Sequence, residues 1–243
     1  MKYALVTGAS RGIGKAIALR LAAAGWPVVI NFLSNREAAQ SVADEIAANG
    51  GTAELLPFDT SDPKAIETAL TEWEQKHPED WFGVLVNNAA ISWTGLLTDM
   101  RPGEWDRLIR TNLTSLYNTC HTFVPDMVSA KSGKILNISS VWGLSGASCE
   151  VAYSAAKGAV NSFTRALARE LAPSHIQVNA LAPGIVDTRM NAHLSEKETA
   201  EIVSQIPAGY IVSPEEAAEA ALRLLEMPEY FNGEVVRLDG CWT

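Results

Sequence analysis

The chain has little of what builds a disulfide framework, a metal centre or a membrane span. Its three cysteines are odd in number and far apart, which favours reduced thiols over disulfides. Its four histidines are scattered without metal-ligand spacing, so we expect no catalytic metal. No apolar run is long enough to cross a bilayer. Acidic residues outnumber basic ones 28 to 19, and a net charge of −9 argues against a general nucleic-acid-binding or membrane-binding surface.

We expect no secretory targeting signal at the beginning of the sequence. An apolar strand starts at once and reaches Gly8 too early for a secretory apolar segment. Together with the reduced cysteines, this predicts a cytoplasmic protein.

What the chain does have is a regular alternation of short β-branched runs with longer helical patterns, typical of repeated βαβ units. Its 243 residues, 47% of them hydrophobic, predict one domain over residues 1–243. Seven strands are expected to begin near Tyr3, Val28, Ala53, Val84, Lys134, Gln177 and Glu234. Six helices are expected over residues 14–24, 36–49, 63–76, 104–129, 152–171 and 214–226. Near-continuous apolar strands imply helices on both faces. The predicted fold is a single-domain α/β, Rossmann-type doubly wound sheet of seven mainly parallel strands flanked by helices.

A glycine-rich loop follows the first strand and opens the first helix. Gly8, Gly12 and Gly14 would let the backbone approach a pyrophosphate, whose charge the helix N-terminus favours. The spacing G-x-x-x-G-x-G differs from the G-x-G-x-x-G fingerprint, so a plain tight turn is the alternative interpretation.

Tyr153 and Lys157 stand four residues apart, thirteen residues after Ser140. Positions i and i+4 share a helix face, so the Lys157 ammonium is expected to stabilise a Tyr153 phenolate. At roughly 5 Å and an effective dielectric of about 20, the gain is about 3 kcal/mol, which would move the tyrosine pKa from about 10 to near 8. A cationic nicotinamide ring would lower it further, toward the range of general acid catalysis.

Along the chain, the glycine-rich loop is followed in one order by Asn87-Asn88-Ala89, Asn112, Ser140, the Tyr153–Lys157 pair and Pro183-Gly184. With these motifs in this order, the chain resembles the short-chain dehydrogenase/reductase family over nearly its whole length. The resemblance implies that Tyr153 donates a proton to a carbonyl oxygen and that Ser140 hydrogen-bonds that oxygen. It implies that Lys157 holds the nicotinamide ribose and that Asn112 carries a water relay to Lys157. Ser139 is expected to be a strand-end residue.

The same resemblance implies a set of cofactor contacts along the strand ends. The residues expected to bind cofactor are Gly8, Ser10, Arg11, Gly12, Ile13, Gly14, Asn31, Ser34, Arg36, Asp59, Thr60, Asn87, Ala89, Tyr153, Lys157, Pro183, Gly184, Ile185 and Thr188. Ile185 and Thr188 would hold the nicotinamide carboxamide, and residues 189–212 would form a mobile substrate lid.

The segment after the second strand, residues 31–36, predicts NADP rather than NAD. It contains no acidic residue to read a ribose 2′-hydroxyl, whereas Arg11 and Arg36 could bind a 2′-phosphate. The alternative is that Arg36 only begins a solvated helix face. Two positions depart from the family pattern: Ala90 and Cys241 stand where glycine is usual.

The length of the chain and the sequences of its motifs are most similar to those of NADPH-dependent 3-oxoacyl-[acyl-carrier-protein] reductases. This resemblance implies a homotetramer and a ketone substrate carried on acyl carrier protein. Lys131, Lys134, Arg165 and Arg169 could form a landing patch for the acidic carrier. Against this, residues 173–175 read Pro-Ser-His where carrier-dependent reductases often offer arginine.

Three alternatives stay open. Residues 140–150 resemble reductases of a 5-aminopentanone group on elongation factor P, where Trp93, Trp142 and Glu150 could line the site. A dehydrogenase of small alcohols, sugars or steroids is the second. The third is a non-catalytic cofactor-binding regulator.

Overall fold

A computed structural model describes residues 1–192 and 194–243. Seven strands form one sheet in the order β3-β2-β1-β4-β5-β6-β7, and all six neighbouring pairs are parallel. The strands are β1 Lys2–Val6, β2 Val28–Phe32, β3 Ala53–Pro57, β4 Trp81–Asn87, β5 Gly133–Ile138, β6 Ile176–Pro183 and β7 Val235–Leu238. The predicted doubly wound α/β sheet is confirmed. The order reverses between β1 and β4, where ligands bind in such sheets.

Helices cover both faces of the sheet. They are α1 Gly12–Ala23, α2 Arg36–Ala48, α3 Pro63–Glu74, α4 Pro102–Ile109, α5 Ser115–Ala130, α6 Trp142–Ser145, α7 Val151–Leu171, α8 Glu196–Gln205 and α9 Pro214–Glu226. One core cluster joins the sheet to α1, α2 and α9, a second joins it to α3, α5 and α7, and a third, smaller one contains Tyr153. β2 and β6 are buried along their whole lengths because each is covered on both faces.

The helix predicted over residues 104–129 is one helical run that changes pitch. α4 leads into a π-helical segment, Arg110–Thr114, which continues directly into α5. A π segment widens the turn and commonly marks a functional position. Here it carries the buried Asn112.

Two helices were not predicted. α6 is only four residues long, too short for a periodic pattern. α8 lies in the segment expected to be a lid, and its capping box was readable: Ser195 accepts the Glu198 N–H, while the Glu198 carboxylate accepts the Ser195 N–H. His193 of the predicted lid lies outside the described residues.

Buried amides tie the centre of the sheet together near its carboxyl edge. The Asn87 amide donates to Asn137 Oδ1 at 2.9 Å and accepts from the Thr119 hydroxyl at 2.7 Å. Asn137 in turn donates to Thr164 Oγ1 at 2.9 Å. The network fixes β4, β5, α5 and α7 relative to one another at the edge where the predicted site residues converge.

None of the helices in the described part of the chain is long and apolar enough to span a membrane. Within residues 1–192 and 194–243, no group of three or more His, Cys, Asp or Glu side chains is placed to hold a metal ion.

Candidate active site

A cleft of about 790 Å³ opens at the carboxyl edge of the sheet, over the point where the strand order reverses. Eleven of the residues expected to bind cofactor line it. They are Gly8, Ser10, Arg11, Gly12, Ile13, Asn31, Ser34, Asp59, Thr60, Ala89 and Thr188. The other eight predicted residues are not in its lining: Gly14, Arg36, Asn87, Tyr153, Lys157, Pro183, Gly184 and Ile185.

The glycine loop, Thr7–Gly14, needs its glycines for two different reasons. Gly8 and Gly12 adopt left-handed backbone with φ of +62° and +54°, which a side chain would strain. Gly14 allows close packing: a Cβ there would stand 2.4 Å from Asn88 Nδ2 and 2.6 Å from the Gly8 carbonyl oxygen. The loop therefore keeps its backbone open to the cleft, and a pyrophosphate fits the N-terminus of α1.

Two neutral amides and a threonine fix the glycine loop from below. Asn31 Oδ1 accepts the Gly8 N–H at 3.2 Å, and its amide donates to the carbonyls of Leu56 and Phe58. Asn88 Nδ2 donates to the Thr7 carbonyl at 2.8 Å. Asn31 is 2% exposed, so it holds the loop as well as bordering the cleft.

Thr7 completes this support, a role that the motif spacing did not indicate. Its hydroxyl accepts the N–H groups of Asn88 and Ala89, at 2.9 and 3.0 Å, and donates to the Val86 carbonyl. The glycine loop is therefore fastened to the chain that follows β4. Asn87, predicted as a cofactor contact, lies in the buried amide network beneath that chain.

The residues that would distinguish NADP from NAD lie at the far end of the cleft. Arg11, Ser34 and Asn35 border it, and all three are exposed. Arg36 is also exposed and opens α2, with its backbone N–H donating to the Ser34 carbonyl at 3.2 Å. Asp59 borders the cleft at the end of β3, where its carboxylate accepts the Ser61 N–H at 2.8 Å. Arg11 therefore borders the cleft, whereas Arg36 lies at the start of α2 outside the cleft lining.

Tyr153, Ser140 and Lys157 lie together at the reacting end of the site. The Tyr153 side chain, 9% exposed, hydrogen-bonds to Ser140. The Lys157 ammonium lies over the Tyr153 ring, 5.6 Å from its centroid. The one-turn spacing on α7 thus brings these two side chains together beside the end of β5.

The expected fall of the Tyr153 pKa toward 8 is wrong for the protein by itself. Burial raises the pKa of Tyr153 above its usual value, the nearby Glu150 carboxylate raises it further, and the Ser140 hydrogen bond opposes both. Desolvation of the phenolate outweighs the hydrogen bond, and the ammonium lies over the ring face. A net lowering must come from additional positive charge, the part that the sequence analysis assigned to an oxidised nicotinamide.

The pKa of Lys157 is shifted as well. It is 3% exposed, and burial lowers its pKa to about 8. Its ammonium donates to the Ile138 carbonyl at 2.7 Å, which ties α7 to the end of β5. Lys157 therefore combines a structural bond with a protonation equilibrium near neutral pH.

Ser139 and Asn161 hold Ser140 in register with α7. The Ser139 hydroxyl donates to Asn161 Oδ1 at 2.6 Å, and the Asn161 amide donates to the Gly143 carbonyl at 2.9 Å. Ser139 thus contacts Asn161 of α7, whereas Ser140 contacts Tyr153 of the same helix. Asn161 was missed, although it repeats the four-residue spacing of Tyr153 and Lys157 and so shares their helix face.

Asn112 bonds to backbone rather than to either catalytic candidate. Its Oδ1 accepts the Ile91 N–H at 2.8 Å, and its Nδ2 donates to the Ile91 carbonyl at 2.7 Å. The oxygen and the nitrogen of the Asn112 side-chain amide therefore both anchor the loop after β4 to the π segment. Its predicted water relay to Lys157 stays a prediction.

The end of β6 and the segment that follows it join the two ends of the site. The Pro183 carbonyl accepts the Val141 N–H at 2.9 Å, and the Gly184 N–H donates to the Leu238 carbonyl at 2.8 Å. Thr188 lies against the glycine loop, 3.5 Å from where a Cβ on Gly12 would stand. Ile185 lines a separate cavity of about 160 Å³ together with residues of the predicted lid.

The two residues that replace the family's usual glycines are Ala90, beside the large cleft, and Cys241, in a left-handed turn. Ala90 lines the large cleft. Cys241 is exposed and has a φ of +67°, a left-handed backbone that favours glycine. The methyl group of Ala90 is therefore accommodated at the cleft wall, whereas Cys241 carries backbone strain.

Two tryptophans flank the Tyr153 side chain. Trp93 and Trp142 both pack against the cluster that contains Tyr153. Trp93 also hydrogen-bonds to Glu104, whose pKa the neighbouring Arg101 lowers to about 2. Glu150 precedes α7 directly, and its charge reaches Tyr153. Two indole rings therefore pack against the cluster that contains Tyr153, and one carboxylate is close enough to act on its charge.

The suggested basic landing patch lies away from this edge. Lys134 is at the start of β5, and its ammonium donates to the carbonyls of Leu225 and Met227 at the end of α9. Arg169 is sixteen residues beyond Tyr153, about 24 Å along α7 at 1.5 Å per residue. Within one chain the patch therefore faces the amino edge of the sheet, and Lys134 is occupied in capping α9.

Comparisons with known proteins agree with this geometry. The family model described as short chain dehydrogenase matches residues 2–199. The chain is 40% identical to the uncharacterized oxidoreductase YmfI of Bacillus subtilis over 243 residues, covering 99% of this chain and 98% of that protein. It is 38% identical to the 3-oxoacyl-[acyl-carrier-protein] reductase FabG of Escherichia coli over 240 residues, covering 98% and 96% of the two chains.

Solved structures resemble the fold over nearly the whole chain. A putative gluconate dehydrogenase from Agrobacterium tumefaciens has a TM-score of 0.94 at 32% identity, covering 99% of this chain and 95% of that one. A 3-oxoacyl-[acyl-carrier protein] reductase from Brucella melitensis has a TM-score of 0.91 at 34% identity, covering 100% and 91%. The chain therefore belongs to the short-chain dehydrogenase family and is an oxidoreductase that uses a nicotinamide dinucleotide.

Proposed function

We propose that this protein reduces a ketone to a secondary alcohol with NADPH, and that the ketone is a 3-oxoacyl thioester carried on acyl carrier protein. The observation that carries the proposal is the Tyr153 side chain, buried, hydrogen-bonded to Ser140 and covered by the Lys157 ammonium, at the edge of a dinucleotide-sized cleft. Relatives at 38–39% identity named as 3-oxoacyl-[acyl-carrier-protein] reductases support the substrate.

In this mechanism the protein's own residues handle the proton while a bound NADPH supplies the hydride for the carbonyl carbon. Ser140 donates a hydrogen bond to the carbonyl oxygen, where negative charge develops. The Tyr153 hydroxyl gives its proton to the same oxygen. The raised pKa keeps Tyr153 protonated at neutral pH but also makes it a weaker acid. Proton donation therefore depends on positive charge that stabilises the resulting phenolate, which the Lys157 ammonium and an oxidised nicotinamide would supply.

The preference for NADPH is assigned to Arg11 and Arg36. Both are exposed; Arg11 borders the cleft together with Ser34, and Arg36 opens α2 two residues after Ser34. A charge-assisted hydrogen bond contributes about 1.5–3 kcal/mol, so losing one should raise the KM for NADPH about tenfold or more. Replacing either arginine by alanine should leave the KM for NADH unchanged, and Arg223→Ala on α9 is a matched surface control.

We infer further that the protein is a cytoplasmic homotetramer. The family resemblance suggests assembly through the two long helices, and exposed apolar side chains on them support it: Tyr117 and Val128 on α5, and Val151 on α7. Analytical ultracentrifugation of the purified chain tests the tetramer, and a monomer at micromolar concentration would contradict it. The predicted lid, residues 189–212, is retained as the substrate-covering element.

A second candidate ketone is the 5-aminopentanone group on elongation factor P. The observation that favours it is Glu150, whose carboxylate is close enough to raise the pKa of Tyr153, together with the faces of Trp93 and Trp142. A carboxylate beside aromatic faces suits a protonated amine. Glu150→Gln should then raise the KM for an amino ketone but not for an acyl thioester.

The deciding experiment measures NADPH and NADH oxidation by the purified protein with acetoacetyl thioester, and repeats it with Tyr153→Phe. NADPH-selective turnover that falls by about 10² to 10⁴ in the variant is expected, because general acid catalysis contributes that much. NADPH binding should be unchanged, since Tyr153 is not among the residues that line the cleft.

Other outcomes identify the alternatives. Turnover of free alcohols or sugars without thioesters would favour a small-molecule dehydrogenase. Biological activity that persists in full in Tyr153→Phe would favour a non-catalytic regulator. Turnover confined to an amino ketone would favour the elongation factor P candidate.

A further inference from the structure

The C-terminal tail, residues 239–243, is folded back onto one carboxylate. Asp239 follows β7, and its side chain is 5% exposed. It accepts the N–H groups of Cys241 and Thr243 and the hydroxyl of Thr243, each at 3.0 Å. Residues 239–243 therefore hold a defined position.

From that position the tail contacts the parts of the site that surround the reacting end. The Gly240 carbonyl accepts the Ala208 N–H of the lid at 3.1 Å. A Cβ on Gly184, after β6, would stand 3.1 Å from Asp239 and 3.5 Å from Trp242. The Trp242 ring packs against Trp142 with centroids 4.9 Å apart and planes tilted by 57°.

Trp142 connects this contact to the chemistry. Its backbone N–H donates to Ser140 Oγ at 3.2 Å, and its ring packs against the cluster that contains Tyr153. Trp242 is thus separated from the reacting centre by a single aromatic ring. Such ring pairs contribute about 0.5–1.5 kcal/mol beyond their buried area, enough to fix where the Trp142 ring stands.

We propose that Trp242 is a specificity-determining residue, which holds Trp142 as an outer wall beside Ser140 and admits ketones with slender, unbranched substituents. The proposal rests on the ketone reductase activity proposed above. The wall is aromatic and only half-buried, so it sets substituent width without a specific polar contact. The Gly240 carbonyl of the same tail accepts the Ala208 N–H, so a tail position fixed by Trp242 would also brace the predicted lid.

The test compares Trp242→Ala, Trp242→Phe and the wild-type chain with NADPH on two probes, acetoacetyl-N-acetylcysteamine and the bulkier ethyl benzoylacetate. Tyr230→Ala, which removes a fully exposed aromatic ring just before β7, is the matched control. In Trp242→Ala the KM for the slender probe should rise about fivefold while kcat stays within about twofold, because positioning rather than chemistry is lost. The ratio of kcat/KM for the bulky probe over the slender one should rise by at least about fivefold.

The conservative variant and the control complete the prediction. Trp242→Phe should behave like the wild type because a ring is retained, and Tyr230→Ala should change neither KM. An equal loss on both probes, or no change on either, would overturn the specificity role.

Hydrogen exchange at the Ala208 amide tests the tail independently of turnover. Exchange should be faster in Trp242→Ala than in Tyr230→Ala, because the Ala208 N–H is bonded to the tail. Unchanged protection would overturn the bracing role. If the wild-type chain reduces neither probe, the proposed reductase activity fails, and the Ala208 exchange rate alone then decides whether Trp242 fixes the position of the tail.

Discussion

At the glycine-loop end of the site, backbone atoms and neutral side chains set the geometry, whereas at the Tyr153 end buried ionisable groups do. Thr7, Asn31 and Asn88 hold the first end with hydrogen bonds between uncharged groups. Tyr153 and Lys157 at the second end both have pKa values shifted by burial. The first end should therefore fail through steric change and be insensitive to pH, and the second should respond to pH.

The steric half of this comparison is tested most strongly at Gly14. In Gly14→Ala the new Cβ would stand 2.4 Å from Asn88 Nδ2 and 2.6 Å from the Gly8 carbonyl oxygen, so the loop must shift. We expect a loss of about 3 kcal/mol in the free energy of unfolding, measured by urea denaturation, and a loss of NADPH affinity.

Gly158→Ala on α7 is the control for that substitution. A Cβ at Gly158 meets nothing closer than 3.5 Å, and alanine is the better helix former by about 0.5–1 kcal/mol. Its stability should hold or rise. If Gly14→Ala keeps wild-type stability and NADPH affinity, close packing does not define the loop.

Substitution of Asn161 tests whether the reacting end also depends on hydrogen bonds between uncharged groups. Asn161→Leu removes the bonds to Ser139 and to the Gly143 carbonyl. Leaving such buried groups unpaired should cost about 2 kcal/mol of stability. Because Ser140 lies between them in sequence, kcat should fall while the NADPH Kd stays constant. A kcat equal to that of the wild type in a destabilised variant would show that Asn161 serves the fold alone.

The ionisable half of the comparison predicts a pH-dependent stability from Lys157. Burial lowers its pKa from 10.5 to about 8, so between these values the unfolded chain binds more protons than the folded one. The cost of the buried charge is full below pH 8 and is relieved as the pH rises. Between pH 8 and pH 9.5 the wild-type chain should gain about 1.5 kcal/mol from this group.

Urea unfolding across that range, compared with Lys157→Met, isolates the effect. Lys134 has a pKa lowered by burial as well, but it is present in both proteins and cancels. Tyr153 stays protonated over this range because its pKa is raised. Parallel pH profiles for the two proteins would contradict the assignment.

The same contrast explains how much of the site could be predicted from sequence. Gly8, Gly12, Gly14, Tyr153 and Lys157 act through local spacing, and the sheet follows from strand and helix periodicity, so these features were readable. The direction of the Tyr153 pKa shift was not, because it depends on burial by packed elements and on Glu150. The function of Trp242 depends on a contact across one hundred positions, which no local pattern encodes.

Cys241 gives the smallest expected effect and tests whether the tail carries strain. It replaces a usual glycine and adopts a φ of +67°, a left-handed backbone that costs an ordinary residue roughly 1 kcal/mol. Cys241→Gly should therefore raise the free energy of unfolding by up to about 1 kcal/mol, less the entropy that glycine adds to the unfolded chain. Cys241→Ala removes the thiol but keeps the Cβ, so it should show no gain. Equal stability changes in the two variants would assign the effect to the thiol, and the tail would then be unstrained despite its left-handed turn.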